Sequence, residues 1–312
     1  MLPIKKYPFE VPKNKIVRVI IDTDAACEAD DQFAIVHALL SPKLDVRGIT
    51  AEHFHAFFGE VNTMEKSYSE ILKVLDILKL NGKYPVYRGV ADGLRDEITP
   101  AGSDAAHFII EEARRENETQ PLFVVCQGAL TNVADALLVD PDIAQKLTVI
   151  WIGGGKYPEG GSEFNCMGDP NAVNVVMDSK VALWQVPDNV YSMMTVGFSE
   201  LYHYVYPCGE IGKYLVENLF RFSVQACTNE IMNEATSYPV GESWRLGDSP
   251  ILGLLLSENA DYIEMPAPRV EKNGEYRLRP SNCRKIRVYQ SIDSHFIFND
   301  MYSKLAYNYA NL

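Results

Sequence analysis

Acidic side chains are concentrated in one short segment near the start of the chain. Five of the ten residues at positions 22–31 are acidic: Asp22, Asp24, Glu28, Asp30 and Asp31. They directly follow the apolar run IVRVI at positions 16–20, which predicts a buried strand. Clustered carboxylates repel one another and raise one another's pKa unless a cation shares them. Because oxygen-only ligands are typical of calcium and magnesium sites, the segment predicts a site for a divalent cation.

Two known acidic motifs do not account for this segment. An EF-hand loop starting at Asp22 requires Gly at its sixth position and Glu at its twelfth, where this chain has Cys27 and Phe33. Phosphatases of the haloacid dehalogenase type also place Asp-x-Asp after a first strand. They have Thr or Val two residues beyond the second Asp, where this chain has Ala26. Their motif also does not include the Asp-Asp pair that follows here at positions 30–31.

A third motif matches better. The sequence IIDTDAACEADDQFAIVHAL at positions 20–39 resembles the opening of the nucleoside hydrolase family, D-x-D-x-x-x-D-D followed by a helix. This chain carries two extra residues between the two acidic halves and lacks the usual Pro-Gly after Asp24. The resemblance is therefore to a divergent member of the inosine-uridine preferring type.

Further short segments follow in the order that this family has them. They are GIT at 48–50, TMEK at 63–66, CQGALTN at 126–132, IGGG at 152–155, EFN at 163–165, DP at 169–170 and GDSP at 247–250. The CQGALTN segment is similar to the family's T-G-P-L-T-N turn, and GDSP to its H-D-P segment with Gly247 in place of the His. The resemblance covers roughly residues 16–300.

The resemblance implies an activity and a set of site residues. The activity is calcium-dependent hydrolysis of the N-glycosidic bond of a ribonucleoside, which gives ribose and a free base for purine or pyrimidine salvage. The implied calcium ligands are Asp24, Asp31 and Asp248, with the backbone carbonyl of Gln127. Asp24 would also accept the proton of the attacking water. Asp30 would hold a ribose hydroxyl, Glu163 and Asn165 the 5′ side of the ribose, and Asp22 would support the site from behind.

The base end of the site departs from the family pattern. The segment at positions 51–59 is longer than usual for the family. The family has an Asn there that contacts the ribose, and Glu52 is a candidate for that role because the longer segment displaces Asn62. His53 and His55, beside three Phe residues, are candidates for a base pocket, although a loop His is more often a solvated surface residue. Trp244 lies four residues before Asp248 in an irregular segment, where a base could stack on it.

The elements that must position these residues alternate along the first half of the chain. Strands are predicted at positions 16–22, 44–50, 85–87, 121–126, 147–152, 181–186 and 284–288, and helices at 32–40, 65–80, 105–115, 130–139, 211–230, 250–256 and 294–309. Continuous apolar strands that alternate with helices predict an α/β fold: an open, Rossmann-like, mostly parallel sheet with helices on both faces. Ligands of such sheets bind beyond the carboxyl ends of the strands. We expect a single domain over residues 1–312 with an elaborated C-terminal half.

Composition excludes several classes of partner. The 312 residues include 29 Lys and Arg against 42 Asp and Glu, a net charge of −13. This balance argues against a general nucleic-acid surface or docking on anionic membranes. No apolar stretch is long enough to span a bilayer, the N-terminus shows no secretory signal, and the six cysteines form no C-x-x-C. We expect a cytoplasmic homodimer or homotetramer whose partner is a small-molecule ribonucleoside.

Three alternatives stay open at this point. In the first, the substrate would be a modified nucleoside or another N-riboside, because the insertions surround the base end. In the second, the chain would be a ribose-ligand-binding relative without turnover, which the altered 51–59 segment and Gly247 allow. The third alternative is a metal-dependent phosphatase, although the Asp30-Asp31 pair argues against it.

Overall fold

A computed structural model describes residues 4–54, 60–228, 241–257 and 259–310. Its strands are β1 (Val17–Thr23), β2 (Leu44–Ala51), β3 (Val86–Arg88), β4 (Leu122–Cys126), β5 (Leu147–Ile152), β6 (Ala182–Val186), β7 (Thr195–Gly197), β8 (Ser243–Arg245), β9 (Tyr262–Pro266), β10 (Arg269–Val270), β11 (Tyr276–Arg277) and β12 (Lys285–Tyr289). Eight of them form one sheet in the order β3-β2-β1-β4-β5-β6-β12-β9. Neighbours in this sheet are parallel except β9, which runs antiparallel to β12 at the edge.

The helices connect and cover these strands. They are α1 (Asp31–Leu39), α2 (Thr63–Ile77), α3 (Asp104–Arg114), α4 (Thr131–Val139), α5 (Phe164–Gly168), α6 (Pro170–Asp178), α7 (Asp188–Tyr191), α8 (Phe198–Tyr204), α9 (Gly209–Thr228), α10 (Pro250–Leu256) and α11 (Ser294–Tyr309). Short 3₁₀ turns lie at Lys13–Lys15 and Pro141–Gln145. No helix among the described residues is both long and apolar enough to cross a membrane.

Both faces of the sheet are buried, which explains why its strands are continuously apolar. Successive side chains of a strand point to opposite faces. Accordingly Ile21 of β1 belongs to a core shared with α1, α2, α9, α10 and α11, whereas Ile20 belongs to a second core shared with α3, α4 and α6. The predicted α/β fold, a mostly parallel sheet with helices on both faces, is confirmed.

The parallel register brings the ends of several strands to one edge. Asp22 in β1 lies beside Thr50 in β2 and beside Cys126 in β4, and Cys126, the last residue of β4, lies beside Trp151 near the end of β5. The acidic segment after β1, the turn after β4 and the glycines after β5 therefore emerge side by side, and this edge is the predicted ligand edge.

The predicted boundaries of the first half agree with the structure to within three residues, and β5, α10 and α11 have the predicted bounds. The structure adds α5 to α8 and several short strands that lie outside the predicted elements. Strand β8 lies between the predicted helices at 211–230 and 250–256, and residues 229–240 lie outside the described residues. The predicted end of α9 at position 230 lies there too. A single domain over residues 1–312 stays a prediction.

Candidate metal and ligand site

Three carboxylates converge at this edge from two distant parts of the chain. One oxygen of each of Asp30, Asp31 and Asp248 lies within 4.8 Å of the other two. Asp30 and Asp31 stand at the start of α1, and Asp248 stands two residues before α10. The backbone N–H of Asp248 donates to Oδ2 of Asp30 at 3.3 Å, which joins the two segments. Helix N-termini favour negative charge, so both helices help to hold these acids in place.

Burial and mutual repulsion raise the pKa values of this group. Burial raises the pKa of Asp30 to about 6, and burial together with the charge of Asp30 raises that of Asp31 to about 7. The pKa of Asp248 is raised well above its ordinary value by burial and then by Asp30, Asp31 and Asp24. The pKa of Asp24 rises in the same way through burial, Asp31 and Asp30. Ionising all of these groups in the same place requires a cation, because nearby like charges disfavour the charged form.

Asp24, a predicted ligand, is not one of the three carboxylates of this group, and its carboxyl lies against the turn after β4. A Cβ atom at Gly128 would lie 2.8 Å from Cγ of Asp24, closer than real Cβ contacts come. A residue without a side chain is therefore required at position 128 for the Asp24 carboxyl to occupy this position. The carbonyl of Asp24 accepts the N–H of Cys27 at 2.7 Å, so the inserted residues begin with a tight turn.

The side chain of Asp22, near the end of β1, forms hydrogen bonds to β2 and α4. Its Oδ1 accepts the Thr50 hydroxyl at 2.6 Å and the Asn132 side-chain amide at 2.9 Å. Burial raises the pKa of Asp22 to about 6. Its other oxygen, Oδ2, is buried without a hydrogen-bond partner among the described residues. These contacts join Asp22 to β2 and α4. The predicted role of Asp22 in supporting the site stays a prediction.

Gln127 and Asn165 meet through the backbone. The Asn165 side-chain N–H donates to the carbonyl of Gln127 at 3.0 Å and to that of Ile152 at 2.9 Å, so it joins the ends of β4 and β5. Gln127 is 2% exposed, and both polar atoms of its side chain are buried without a partner among the described residues, as is Oγ of Ser249. A buried amide without a partner is costly, which indicates a polar group that binds there. The oxygen-rich donor set and these unpaired atoms fit a hydrated divalent cation or a polyhydroxyl ligand.

Glu163 organises the turn that follows β5. One of its oxygens accepts the N–H groups of Gly154 at 2.6 Å and Cys166 at 2.9 Å, which caps α5. The other accepts the hydroxyl of Tyr191 at 2.8 Å. Burial raises the pKa of Glu163 above its ordinary value. The predicted contacts of Glu163 and Asn165 with a ribose stay predictions, and Tyr191 is a site residue that the sequence did not single out.

Glu52 and His53 belong to a buried hydrogen-bond chain. Glu52 accepts the backbone N–H groups of His53 and Asn132, each at 3.0 Å, and its pKa is raised well above normal by burial and by the charge of Asp22. Nε2 of His53 lies 2.8 Å from the Thr131 hydroxyl, which donates to Asp169 at 3.0 Å. The Thr131 oxygen therefore accepts the His53 Nε2–H, which fixes the tautomer.

His53 is buried and is therefore not a solvated surface residue, and its predicted part in a base pocket stays a prediction. The residue is 4% exposed, and burial lowers its pKa. The chain of hydrogen bonds to Thr131 and Asp169 explains the burial, because it satisfies the imidazole away from water. His55 lies outside the described residues, so its part in a base pocket stays a prediction.

Trp244 lies in β8 at 1% exposure and packs edge to face against Phe222, with ring centroids 5.7 Å apart. It belongs to the same core as α1 and α10. Stacking of a base on this indole stays a prediction, and any such contact requires a face that this packing leaves available.

A side chain at the position before Asp248 would be tightly packed. A Cβ atom at Gly247 would lie 3.2 Å from the ring of Tyr191 and 3.5 Å from Oδ2 of Asp30. The Tyr191 ring thus covers the place where a residue at position 247 would extend. Sequence patterns gave no signal for this contact, because Tyr191 ends a helix of four residues, α7, too short to show a helical period.

Comparison with known proteins identifies relatives over most of the chain. A family model described as inosine-uridine preferring nucleoside hydrolase matches residues 19–285. The pyrimidine-specific ribonucleoside hydrolase RihA of Salmonella paratyphi A is 29% identical over 198 residues, which are 55% of this chain and 60% of the relative. Uridine nucleosidase 1 of Arabidopsis thaliana is 30% identical over 214 residues, which are 60% and 61% of the two chains. The chain therefore matches about 60% of the length of these curated relatives.

Solved structures extend the likeness of the fold to nearly the whole chain. A purine-preferring ribonucleoside hydrolase from Gardnerella vaginalis superimposes with a TM-score of 0.75 at 18% identity, over 93% of this chain and 98% of that one. A plant nucleoside hydrolase superimposes with a TM-score of 0.73 at 21% identity over the same shares of the two chains. At these identities the likeness concerns the fold.

Proposed function

Because the chain belongs to the inosine-uridine preferring nucleoside hydrolase family, we propose that it hydrolyses the N-glycosidic bond of a ribonucleoside to ribose and a free base. The named relatives act on ribonucleosides and uridine, and both are N-ribosyl hydrolases. The observation that carries the proposal for this chain is the convergence of Asp30, Asp31 and Asp248 at the ligand edge of the sheet. An acidic cluster of this kind suits a polyhydroxylated sugar held on a cation.

Members of this family are generally metal-dependent, and calcium is the ion that this donor set favours. Carboxylates and a backbone carbonyl are hard oxygen ligands, as calcium prefers. Asp24, Asp31, Asp248 and the carbonyl of Gln127 would hold the ion. When bound, it supplies positive charge that neutralises the acids, polarises the attacking water and fixes the sugar hydroxyls.

The residues of the chain carry out the remaining steps. Asp24, fixed against Gly128, takes the proton of the water that attacks C1′ of the ribose. Asp30 accepts a hydrogen bond from a ribose hydroxyl, and Glu163 and Asn165 face the 5′ side. The transition state resembles an oxocarbenium ion, so the surrounding carboxylates stabilise its positive charge. Asp22 and Glu52, both buried, hold the strand ends and the start of α4 in position, and contact of Glu52 with the ribose belongs to the same proposal.

A panel of substrates tests the proposed activity. Purified protein with calcium is incubated separately with inosine, uridine, their 5′-monophosphates and p-nitrophenyl phosphate, and ribose and free base are quantified. We expect free ribose and free base from at least one nucleoside. We expect no release of phosphate from the 5′-monophosphates or from p-nitrophenyl phosphate, which a phosphatase would give. Phosphate release without base release indicates a phosphatase, and binding of ribose without turnover indicates a ligand-binding relative.

The leaving group supports a separate prediction. Gly247 can donate no proton, so bases that need protonation are expected to leave slowly. We expect p-nitrophenyl riboside, whose leaving group needs no proton, to exceed uridine in kcat by ~10²–10⁴, the usual worth of general-acid assistance. The measurement is kcat for both substrates in wild type and His53→Ala.

The His53→Ala variant tests the one histidine of the base end whose contacts are described. Because its Nε2–H is bound to Thr131, the ratio of the two rates is expected to stay unchanged in this variant. Equal rates in wild type would show that an efficient acid exists. A ratio that widens in His53→Ala would identify His53 as that acid.

A cytoplasmic location and assembly into a homodimer or homotetramer belong to the same proposal. The described cysteines are all free thiols, four of them buried, which suits a reducing compartment. The partner is a small-molecule ribonucleoside. The strongly negative net charge of −13 favours neither nucleic acid nor an anionic membrane as a partner.

A further inference from the structure

The carboxylate of Glu163 is fully engaged by donors of the protein itself. Its Oε2 accepts the backbone N–H groups of Gly154 at 2.6 Å and Cys166 at 2.9 Å. Its Oε1 accepts the backbone N–H of Asn165 at 3.2 Å and the hydroxyl of Tyr191 at 2.8 Å. A carboxylate offers about four acceptor positions, and these donors fill them. A ligand hydroxyl can therefore donate to Glu163 only after one of these donors has left.

Tyr191 is the donor that comes from a different element. The three backbone donors belong to the chain that leads from β5 through α5, whereas Tyr191 is the last residue of α7. Helix α7 is held against the same turn, since the N–H of Asp188 donates to the carbonyl of Gly154 at 3.0 Å. The carbonyl of Tyr191 accepts the N–H of Met194, also at 3.0 Å. The backbone is thus held on both sides of the phenol, which keeps its hydroxyl at Glu163.

The Tyr191 ring connects Glu163 with the carboxylates on which the proposed function places the sugar. Its hydroxyl bonds to Glu163, while a Cβ atom at Gly247 would lie 3.2 Å from its ring and 3.5 Å from Oδ2 of Asp30. When the 2′- and 3′-hydroxyls of a ribose lie at the carboxylates, the sugar of a nucleoside has one further hydroxyl, on C5′. The proposed function directs that hydroxyl toward Glu163, where the Tyr191 hydroxyl is already bound.

We infer that Tyr191 is a specificity-determining residue whose hydroxyl occupies the place of the substrate's 5′-hydroxyl on Glu163. The site therefore accepts 5′-deoxyribonucleosides at least as well as ordinary ribonucleosides. This inference rests on the proposed function and specifies its substrate class. A 5′-hydroxyl in this place gives up its bonds to water and meets an acceptor that is already occupied, whereas the methyl group of a 5′-deoxyriboside has no hydrogen bond to lose.

The test compares ribosides that differ only at C5′. For the calcium-loaded protein, kcat/KM is measured on inosine and 5′-deoxyinosine, and on p-nitrophenyl riboside and its 5-deoxy analogue. We expect each 5′-deoxy compound to equal or exceed its parent. A preference for the parents of about tenfold or more, the worth of one hydrogen bond to a charged group, would overturn this inference alone. If no compound of either pair is cleaved, the proposed function itself fails.

A variant assigns the effect to the Tyr191 hydroxyl. Tyr191→Phe keeps the ring and frees one acceptor position of Glu163, so the ratio of parent to 5′-deoxy compound is expected to rise by about tenfold or more. The matched control is Tyr302→Phe, whose hydroxyl donates to Glu200 at 3.0 Å between α11 and α8, and there the ratio is expected to stay constant. A merely structural role of Tyr191 lowers both rates together, and an unchanged ratio in Tyr191→Phe would contradict the inference.

Discussion

Replacement of Asp24 by alanine is expected to lower kcat on the best ribonucleoside by about 10⁴, the upper end of what a general base contributes. The side chain combines two roles in the proposed reaction, proton acceptor and calcium ligand, and no neighbour can take its place. Asp30, Asp31 and Asp248 form their own group, and Gly128 fixes the Asp24 carboxyl at a distinct point of the turn. The measurement is kcat with saturating substrate and calcium, for wild type and variant at equal concentration.

The fold is expected to survive this change. Asp24 is a buried carboxyl whose pKa is raised by burial and by the charges of Asp31 and Asp30. Its removal relieves repulsion, so the Tm of the metal-free variant is expected to equal or exceed that of wild type. Asp24→Asn is the matched control, because it preserves the shape and removes the charge, and it should lose activity equally. Wild-type turnover in either variant would refute the role of Asp24.

Loss of the 2′-hydroxyl of the substrate is expected to have a comparable effect. Asp30 and the proposed calcium both hold hydroxyls of the sugar, so a deoxyribonucleoside leaves a buried carboxylate without its partner. Sites built to bind a hydroxyl can reject an analogue that lacks it by ~10⁴. The measurement is kcat/KM on inosine and 2′-deoxyinosine with wild-type protein.

A variant makes this comparison specific to Asp30. In Asp30→Asn, binding of the 2′-hydroxyl is weakened for the ribonucleoside, so the discrimination against 2′-deoxyinosine should shrink by at least tenfold. Equal rates on the two nucleosides in wild type would show that the sugar is held elsewhere. Full discrimination retained in Asp30→Asn would assign it to another group.

The sheet and its ligand edge follow from local sequence properties. Strands such as β4 and β5 are buried on both faces and therefore appear as continuous runs of Val, Ile and Leu, a pattern visible without any tertiary information. The acidic segment after β1 was identifiable for the same reason, since a cluster of charges directly after a buried strand is unusual. Asp248 was linked to it only through the resemblance to a family, because no local pattern indicates a partner more than 200 residues away.

The remainder of the site depends on contacts that no short pattern encodes. His53 was a candidate for a base pocket, with a solvated surface position as the alternative, and its hydrogen bond to Thr131, which in turn donates to Asp169, could not be predicted because both partners come from other segments. Tyr191 gave no signal, because its importance arises from the packing of its ring against Gly247. Helix α6 was missed although Asp169 caps it and Pro170 begins it, both common helix-start residues.

The rate of ribonucleoside hydrolysis before and after removal of calcium tests the central claim most directly. Protein is treated exhaustively with a chelator, transferred to metal-free buffer and assayed on inosine, uridine and p-nitrophenyl riboside, then assayed again after calcium is restored. We predict that hydrolysis of every riboside is lost on chelation and returns to the starting rate with calcium, while Asp24→Ala stays inactive throughout. Full activity in the chelated protein would contradict the account, because Asp24, Asp31 and Asp248 would then act without the ion they are proposed to share.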